Sequence, residues 1–326
     1  MTINNESDND LVSVIITTHN RYLLMQKALD SVLSQTYKYI EVIVVDDASD
    51  VNHEMEFREK YGLNIKFIRI EKESSRGGNH ARNIGIRNAK GQYVAFLDDD
   101  DYWMPQKIMK QVDFLKNHSD FEMVYCNMIF FNDREEWKNI INLENQGDCS
   151  KISLYRMICT SSTIMCTKNI LERVGGFDEN LRFWQDTDLV IRIAQCTNIG
   201  FVNEYLVKYY ADEKSKQRLT NKYYEWWKAV EYHNKKHEKL ISCLTKHEKK
   251  MRLLLIYRDA EARAKVINNS KEVRFALKKI AEIDPSAKNI TKYIVSFLPD
   301  RGEKMIHIYR NIKKILHFQN KKKANK

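Results

Sequence analysis

Residues Ala95 to Trp103 carry an apolar run, Ala95-Phe96-Leu97, into four consecutive aspartates, Asp98 to Asp101, and out again into Tyr102 and Trp103. Four adjacent carboxylates repel one another, so a folded chain has to compensate them with a divalent cation or a basic group. Mg²⁺ and Mn²⁺ suit oxygen ligands, and Mg²⁺ is commonly shared with substrate phosphates. Alternate positions such as Asp98 and Asp100 can address different parts of one ligand. A solvent turn capping the next helix, around 105–115, is the simpler alternative. Such a turn leaves Phe96, Leu97, Tyr102 and Trp103 unexplained, and these place the run in a partly enclosed position.

The segments before this run alternate in type. Leu11 to Thr17 is apolar and β-branched, which predicts a buried strand ending at the polar Thr18, His19 and Asn20. Tyr22 to Leu33 has helical spacing, Glu41 to Val45 is a second strand ending at Asp46 and Asp47, and Ile65 to Ile70 a third. A helix opens at Gly77, and Tyr93 to Leu97 is the fourth strand. A β-α-β order of this kind predicts a mostly parallel sheet covered by helices, with ligands at the carboxyl ends of the strands. Farther on, 127–151 reads as a polar excursion, Ile158 to Cys166 as another strand, and a helix begins near Asp186.

The polar residues at those strand ends are the candidate site. Asp46 and Asp47, at a strand end beside Thr17 to Asn20, can accept hydrogen bonds from a base or ribose, or serve as simple turn residues. Gly77 to Asn83 offers a helix N-terminus and Arg82, both suited to a diphosphate. The six cysteines are dispersed without a Cys-x-x-Cys pair, which disfavours a zinc knuckle and fits a reducing compartment. The polar, acidic stretch from Met1 to Asp10 lacks the basic-then-apolar pattern of a signal peptide.

Several ordered segments together resemble the family 2 glycosyltransferases. They are Val12 to Asn20, Gln35 to Tyr37, Glu41 to Asp50, Ala81 to Gly85, Ala89 to Tyr93 and Leu97 to Trp103, followed by Val174 to Glu179 and Trp184 to Leu189. The resemblance covers residues 11 to 215. It implies a GT-A, Rossmann-like α/β fold and transfer from a nucleoside-diphosphate sugar, with a UDP-sugar as the expected donor. It further implies that Asp47 holds a uracil-type base, with Thr17 and His19 in the same pocket. Asp98 would lie near ribose, Asp100 would bind the Mn²⁺ or Mg²⁺ ion bridging the diphosphate, and Asp186 would be the catalytic base of an inverting reaction; Asp99 and Arg82 are further candidates for the nucleotide side. Trp103, Trp184 and Gln185 are candidates for the sugar or acceptor side. The chain departs from the common pattern at Thr17 and Thr18, where proline is frequent, and at His19, where tyrosine is. Gln185 stands where glutamate often precedes the base, and Tyr209 to Asp212 contains no histidine where many relatives have one.

The net charge of +10 hides a division: residues 1–212 sum to −8 and 213–326 to +18. The expected organisation is a catalytic domain over 1–215, with a nucleotide part at 11–103 and an acceptor part at 104–215, then a basic helical region over 216–326. Helices are predicted at 216–238, 248–267, 271–283, 286–297 and 302–318. Beside a solvated helical surface, the basic region suits an anionic growing polymer as glycan or lipid-linked acceptor, an anionic membrane surface approached from the cytoplasm, nucleic acid, or self-association through its helices. No recognition motif for nucleic acid accompanies it. The competing class is a noncatalytic carbohydrate- or polyanion-binding protein on a degenerate transferase fold.

Overall fold

The computed structural model describes residues 10–137, 146–211 and 222–297. The helix predicted at 302–318 and the acidic Asp212 lie outside them. The chain divides into two compact units, Met1–Asp212 with Glu231–Glu238, and Glu213–Val230 with Lys239–Lys326.

In the first unit the elements run β1 (Val12–Thr18), α1 (Tyr22–Leu33), β2 (Ile40–Asp46), α2 (Glu54–Tyr61), β3 (Lys66–Arg69), α3 (Gly78–Asn88), β4 (Tyr93–Asp98), β5 (Tyr102–Trp103) and α4 (Lys107–Asn117). They continue with β6 (Phe121–Phe131), β7 (Glu136–Trp137), β8 (Met165–Thr167), α5 (Lys168–Val174), α6 (Gln185–Ala194) and β9 (Asn198–Tyr210). One sheet has the order β3-β2-β1-β4-β8-β6-β9-β5, with β7 on β6.

The sheet is mixed rather than mostly parallel. β1 pairs parallel with β2 and β4, and β2 with β3, whereas β8 runs antiparallel to both β4 and β6. Parallel neighbours need a crossover connection, and helices α1, α2 and α3 supply it in the first half; antiparallel neighbours need none. A second correction falls on Ile158 to Cys166. Only Met165–Thr167 is strand, and Ser161–Thr163 forms a 3₁₀ turn that carries polar side chains into the interior.

Successive strand residues point to opposite faces, so the buried runs feed two cores. On one face Ile15, Ile43, Val45 and Phe96 meet Ala81 and Ile86 of α3 and Leu189 and Ile193 of α6. On the other, Val14, Ile16, Val44 and Leu97 meet Met25 and Leu29 of α1 and Ile108 and Val112 of α4. Each such aliphatic side chain contributes about 1.5–3 kcal/mol by burial. Gly85 lies against the Ile15 side chain, where any Cβ would clash, and this close approach of α3 to β1 carries Arg82 to the strand ends.

The second core also encloses a lysine. Lys107 is fully buried; its ammonium donates to Gln111 Oε1 at 2.7 Å and lies 3.9 Å from the Trp103 ring centroid. Burial lowers its pKa to about 8. A folded-state pKa below the unfolded value means that the penalty is fully present below pH 8 and disappears as pH rises toward the ordinary lysine value. Lys107→Met is therefore expected to stabilise the protein by about 1–2 kcal/mol at pH 7, since lost contacts to Gln111 and Trp103 offset part of the relief. Thermal melts from pH 7 to 10.5 check this. The gain should shrink as pH rises, and a variant less stable than wild type at pH 7 would contradict it.

In the second unit, α7 (Tyr223–Lys236) contributes Tyr223, Trp226 and Val230. Beyond α8 (Glu238–Ser242) follow α9 (Lys246–Val266), α10 (Ser270–Ile283) and α11 (Ala287–Val295). α9 begins with a capping box between Thr245 and Glu248, and Ala260, Ala264, Ala276 and Leu277 are buried along α9 and α10. Among the described residues no helix is long and apolar enough to cross a membrane.

Candidate active site

Register alone brings three strand ends together. Thr17 lies beside Val45 on one side and Asp98 on the other, and Thr18 beside Asp46. Past these ends the His19 Nδ1 contacts the Asp47 carbonyl at 2.6 Å, and the Asp47 N–H donates to the Thr18 carbonyl at 2.8 Å. The paired aspartates then separate in role. Asp46 is consumed internally by the Ser49 N–H at 3.0 Å and Arg69 at 2.7 Å, while Asp47 accepts from the Ser75 hydroxyl at 2.8 Å.

Basic groups meet the aspartate run. Arg82 donates to Asp98 at 2.5 Å. Arg21, at the start of α1, donates to Asp99 at 3.0 Å and Asp100 at 3.2 Å, and the Thr18 hydroxyl adds a bond to Asp99 at 2.9 Å. Asp101 is fully buried; it accepts from the Ser162 hydroxyl at 2.5 Å and the Tyr210 N–H at 2.9 Å. It anchors the run, whereas the Asp98 side chain remains 31% exposed and available to a ligand. Burial raises the Asp99 pKa to about 6 against the pull of Arg21, and it pushes Asp101 well above the carboxylate range, with Asp100 and Asp98 adding repulsion.

The turn Ser161–Thr163 joins this run to Asp186. Ser161 donates to the Asp186 carboxylate, and its neighbour Ser162, besides binding Asp101, accepts from the Asp98 N–H at 3.2 Å. Two adjacent serines thus hydrogen-bond Asp186 on one side and the aspartate run on the other. Arg82 feels both: burial opposes its charge, but Asp98 and Asp186 outweigh that and raise its pKa. Burial likewise raises the Asp186 pKa, partly countered by Arg82 and reinforced by Asp98. A carboxylate so destabilised is a stronger base than an exposed one.

Asp186 sits in the first turn of α6, after Trp184, whose φ of 57° is left-handed. Trp184 is buried with its ring edge-on to His233, their centroids 5.3 Å apart. Gln185 is half-buried beside Asp186. Trp103 is in the core, its indole N–H donating to the Ser162 carbonyl at 2.8 Å, so it supports the turn from beneath. Thr17, Asp47, Arg82, Asp98, Asp99, Asp100 and Asp186 thus share the strand-end region, with His19 exposed at its rim.

Sequence reasoning missed Arg21, Ser161 and Ser162. Arg21 follows directly on His19-Asn20, and that adjacency was its only signal. The two serines were hidden inside a segment read as strand. The donor set at the aspartate run is carboxylate oxygen throughout, which fits Mg²⁺ or Mn²⁺. A second cluster of ligating types, Asp188, His233 and His237, has its ligand atoms within 4.8 Å of one another but is separate from the run in sequence and chemistry.

A mixed sheet whose parallel strands end at a cluster of aspartates, followed by C-terminal helices, is a GT-A-like Rossmann arrangement. A mannosyltransferase from Pyrobaculum calidifontis, solved with GDP-Man and Mn²⁺, shares the fold with a TM-score of 0.58 at 19% identity, covering 95% of this chain and 84% of that one. The model of glycosyl transferase family 2 matches residues 13–181, over half the chain, and the protein belongs to that family. An uncharacterized glycosyltransferase of Rickettsia prowazekii is 31% identical over 204 residues, 61% of this chain and 63% of that protein. An Escherichia coli enzyme named as a UDP-Glc:α-D-GlcNAc-diphosphoundecaprenol β-1,3-glucosyltransferase is 39% identical over 117 residues, 34% of this chain and 44% of that protein. The match thus spans less than two thirds of these curated relatives' length.

Proposed function

We propose that this chain is an inverting glycosyltransferase that moves a sugar from a nucleoside-diphosphate sugar, with UDP as the favoured nucleotide, to a hydroxyl of a glycan, polymer or lipid-linked acceptor. The observation that carries the proposal is the Ser161-Ser162 pair, which binds Asp186 through one residue and the aspartate run through the next. A base and a leaving-group site held by one turn suit in-line displacement at an anomeric carbon.

In this reading Asp47 accepts from the base, with Thr17 and His19 lining the same pocket, and Asp98 and Asp99 face ribose and diphosphate. The acceptor oxygen attacks the anomeric carbon and forms the new C–O bond. Its proton passes to Asp186, and the bond to the diphosphate oxygen breaks with its electron pair leaving on the nucleotide. Arg82 adds positive charge beside the departing group. Asp100, with Asp98, would hold a Mn²⁺ or Mg²⁺ ion that supplies Lewis-acid neutralisation of the diphosphate. Trp184 and Gln185 border the acceptor side. The basic region over 216–326 is assigned to anionic acceptors or the inner face of the cell membrane, and its helices to self-association.

The relatives' printed chemistry supports the choice of substrates: one uses UDP-Glc and a diphosphoundecaprenol acceptor, and a fold neighbour binds GDP-Man with Mn²⁺. The test is a panel of UDP- and GDP-sugars with Mn²⁺, Mg²⁺ or chelator, read as nucleotide release and transfer. Asp100→Ala should weaken metal-dependent donor binding by about ten- to a hundredfold, the worth of a charged contact. Unchanged binding by calorimetry would remove Asp100 from the metal site. A noncatalytic binder would take up donor or glycan without transfer.

A further inference from the structure

Residues 231–238 belong to the compact unit of 1–212, although 213–230 and 239–326, on either side of them in sequence, form the other. Within this short piece, the Lys236 ammonium bonds Asp178 at 2.6 Å and Asp188 at 2.8 Å. His237 Nε2 contacts Asp188 at 2.8 Å, the Tyr232 hydroxyl donates to Asp178 at 3.1 Å, and His233 meets the Trp184 ring. Asp178 and Asp188 flank, in sequence, the segment that presents Asp186. The Asp188 N–H also donates to the Trp184 carbonyl at 2.8 Å, closing the left-handed turn from which α6 starts.

From the opposite side α3 grips the beginning of the same segment. Asn79 donates to the Asp178 carbonyl at 2.8 Å and Asn83 to the Phe177 carbonyl at 2.9 Å. One ammonium therefore ties together the two ends of the segment that presents Asp186. Asp188 is fully buried, and although burial opposes its charge, His237, Arg192 and Lys236 keep its pKa well below the carboxylate range. It is a permanent anion built to receive these partners.

We propose that Lys236, assisted by His237, is a positioning residue for the transfer reaction: by bridging Asp178 and Asp188 it fixes the turn at Trp184 that aims Asp186 at the acceptor hydroxyl. This rests on Asp186 being the general base. Asp188, His233 and His237 also have the composition of a metal cluster. However, Arg192 at 2.8 Å and Lys236 at 2.8 Å already oppose the single carboxylate, and a dication would have to displace an ammonium. The structure thus favours an ion-pair latch over a metal centre.

The experiment compares Lys236→Met and Lys236→Arg with wild type in the full chain, measuring UDP-sugar binding stoichiometry and affinity together with kcat and KM. Lys236→Met should bind one donor per chain with unchanged affinity while kcat falls about ten- to a hundredfold, the cost of a base misplaced by about an ångström. Lys236→Arg should restore most of the loss. Asp178→Asn, which weakens the bridge from its other end, should show the same pattern if Lys236→Met folds poorly.

A normal kcat in Lys236→Met, or a fall in kcat matched by an equal fall in donor-binding stoichiometry, would overturn the positioning role alone, provided wild type transfers and Asp186→Asn does not. Stoichiometric binding of Co²⁺ or Zn²⁺ that is lost in His233→Gln, with activity indifferent to Lys236, would replace the latch with a metal site. A wild-type chain without transfer activity, or an active Asp186→Asn, would overturn both this inference and the function beneath it.

Discussion

Asp186→Asn is expected to lower transfer by about 10²–10⁴-fold, the usual worth of a general base, while donor affinity stays within about twofold. Asparagine keeps the size of the side chain and can still accept from Ser161, so the geometry of the turn survives. What it loses is basicity, and Asp186 has that in more than ordinary measure because burial raises its pKa and Asp98 adds to the effect. The wild-type rate should therefore fall as pH drops through a value above that of an exposed aspartate, since the protonated acid cannot accept the hydroxyl proton. Steady-state kinetics with calorimetric donor titration separates the two quantities. A variant that binds donor poorly but turns over at the normal rate would move Asp186 from the chemistry to the donor pocket.

Arg82→Met should have the next largest effect, and on stability as well as rate. The guanidinium is 9% exposed and paired with Asp98, and its field also reaches Asp186. Removing one partner of a buried pair strands the other charge, at a cost of about 3–5 kcal/mol. Because Asp98 is partly exposed, water recovers some of this, and about 2–3 kcal/mol is expected, or a fall in Tm of several degrees. The kinetic signature is directional. Arg82 holds the Asp186 pKa down, so its loss should shift the acid limb of the pH–rate profile upward. An unshifted limb in a folded variant would show that Arg82 acts on the diphosphate alone.

Much of this site was legible in sequence because its pieces are local. Strands β1, β2 and β4 are short β-branched or apolar runs, and they end at polar residues: Thr17 and Thr18, Asp46 and Asp47, Asp98. Period and punctuation suffice for such elements. The half of the sheet beyond β4 was not legible, because β6 and β9, which pair parallel with each other, are long and half-exposed, with Glu122, Asn127, Glu204 and Lys208 interrupting the apolar pattern. Their pairing is settled by distant partners rather than by composition.

The same distinction separates the site residues that were found from those that were not. Asp98 to Asp101 announce themselves as an electrostatic cost. Part of their compensation, at Asp99 and Asp100, comes from Arg21, 78 residues before Asp99, and nothing in the neighbourhood of Arg21 records that pairing. Lys236 and Asp178 are 58 positions apart, and Ser161 and Asp186 are 25 apart. The serines carry no charge and sit in a segment whose apolar flanks read as strand. Long-range polar contacts leave no periodic trace, so the aspartates at the strand ends could be read from the sequence while the side chains that hold them could not.

A structure of the protein with Mn²⁺ and an intact UDP-sugar analogue tests the account most directly. It should place the diphosphate and the ion against Asp98 and Asp100, with Arg21 drawn off the Asp100 carboxylate, and the Asp186 carboxylate on the face of the sugar ring opposite the departing oxygen, within about 3–4 Å of a bound acceptor hydroxyl. A sugar whose anomeric carbon turns its open face away from Asp186, or a diphosphate seated elsewhere than the aspartate run, would contradict it.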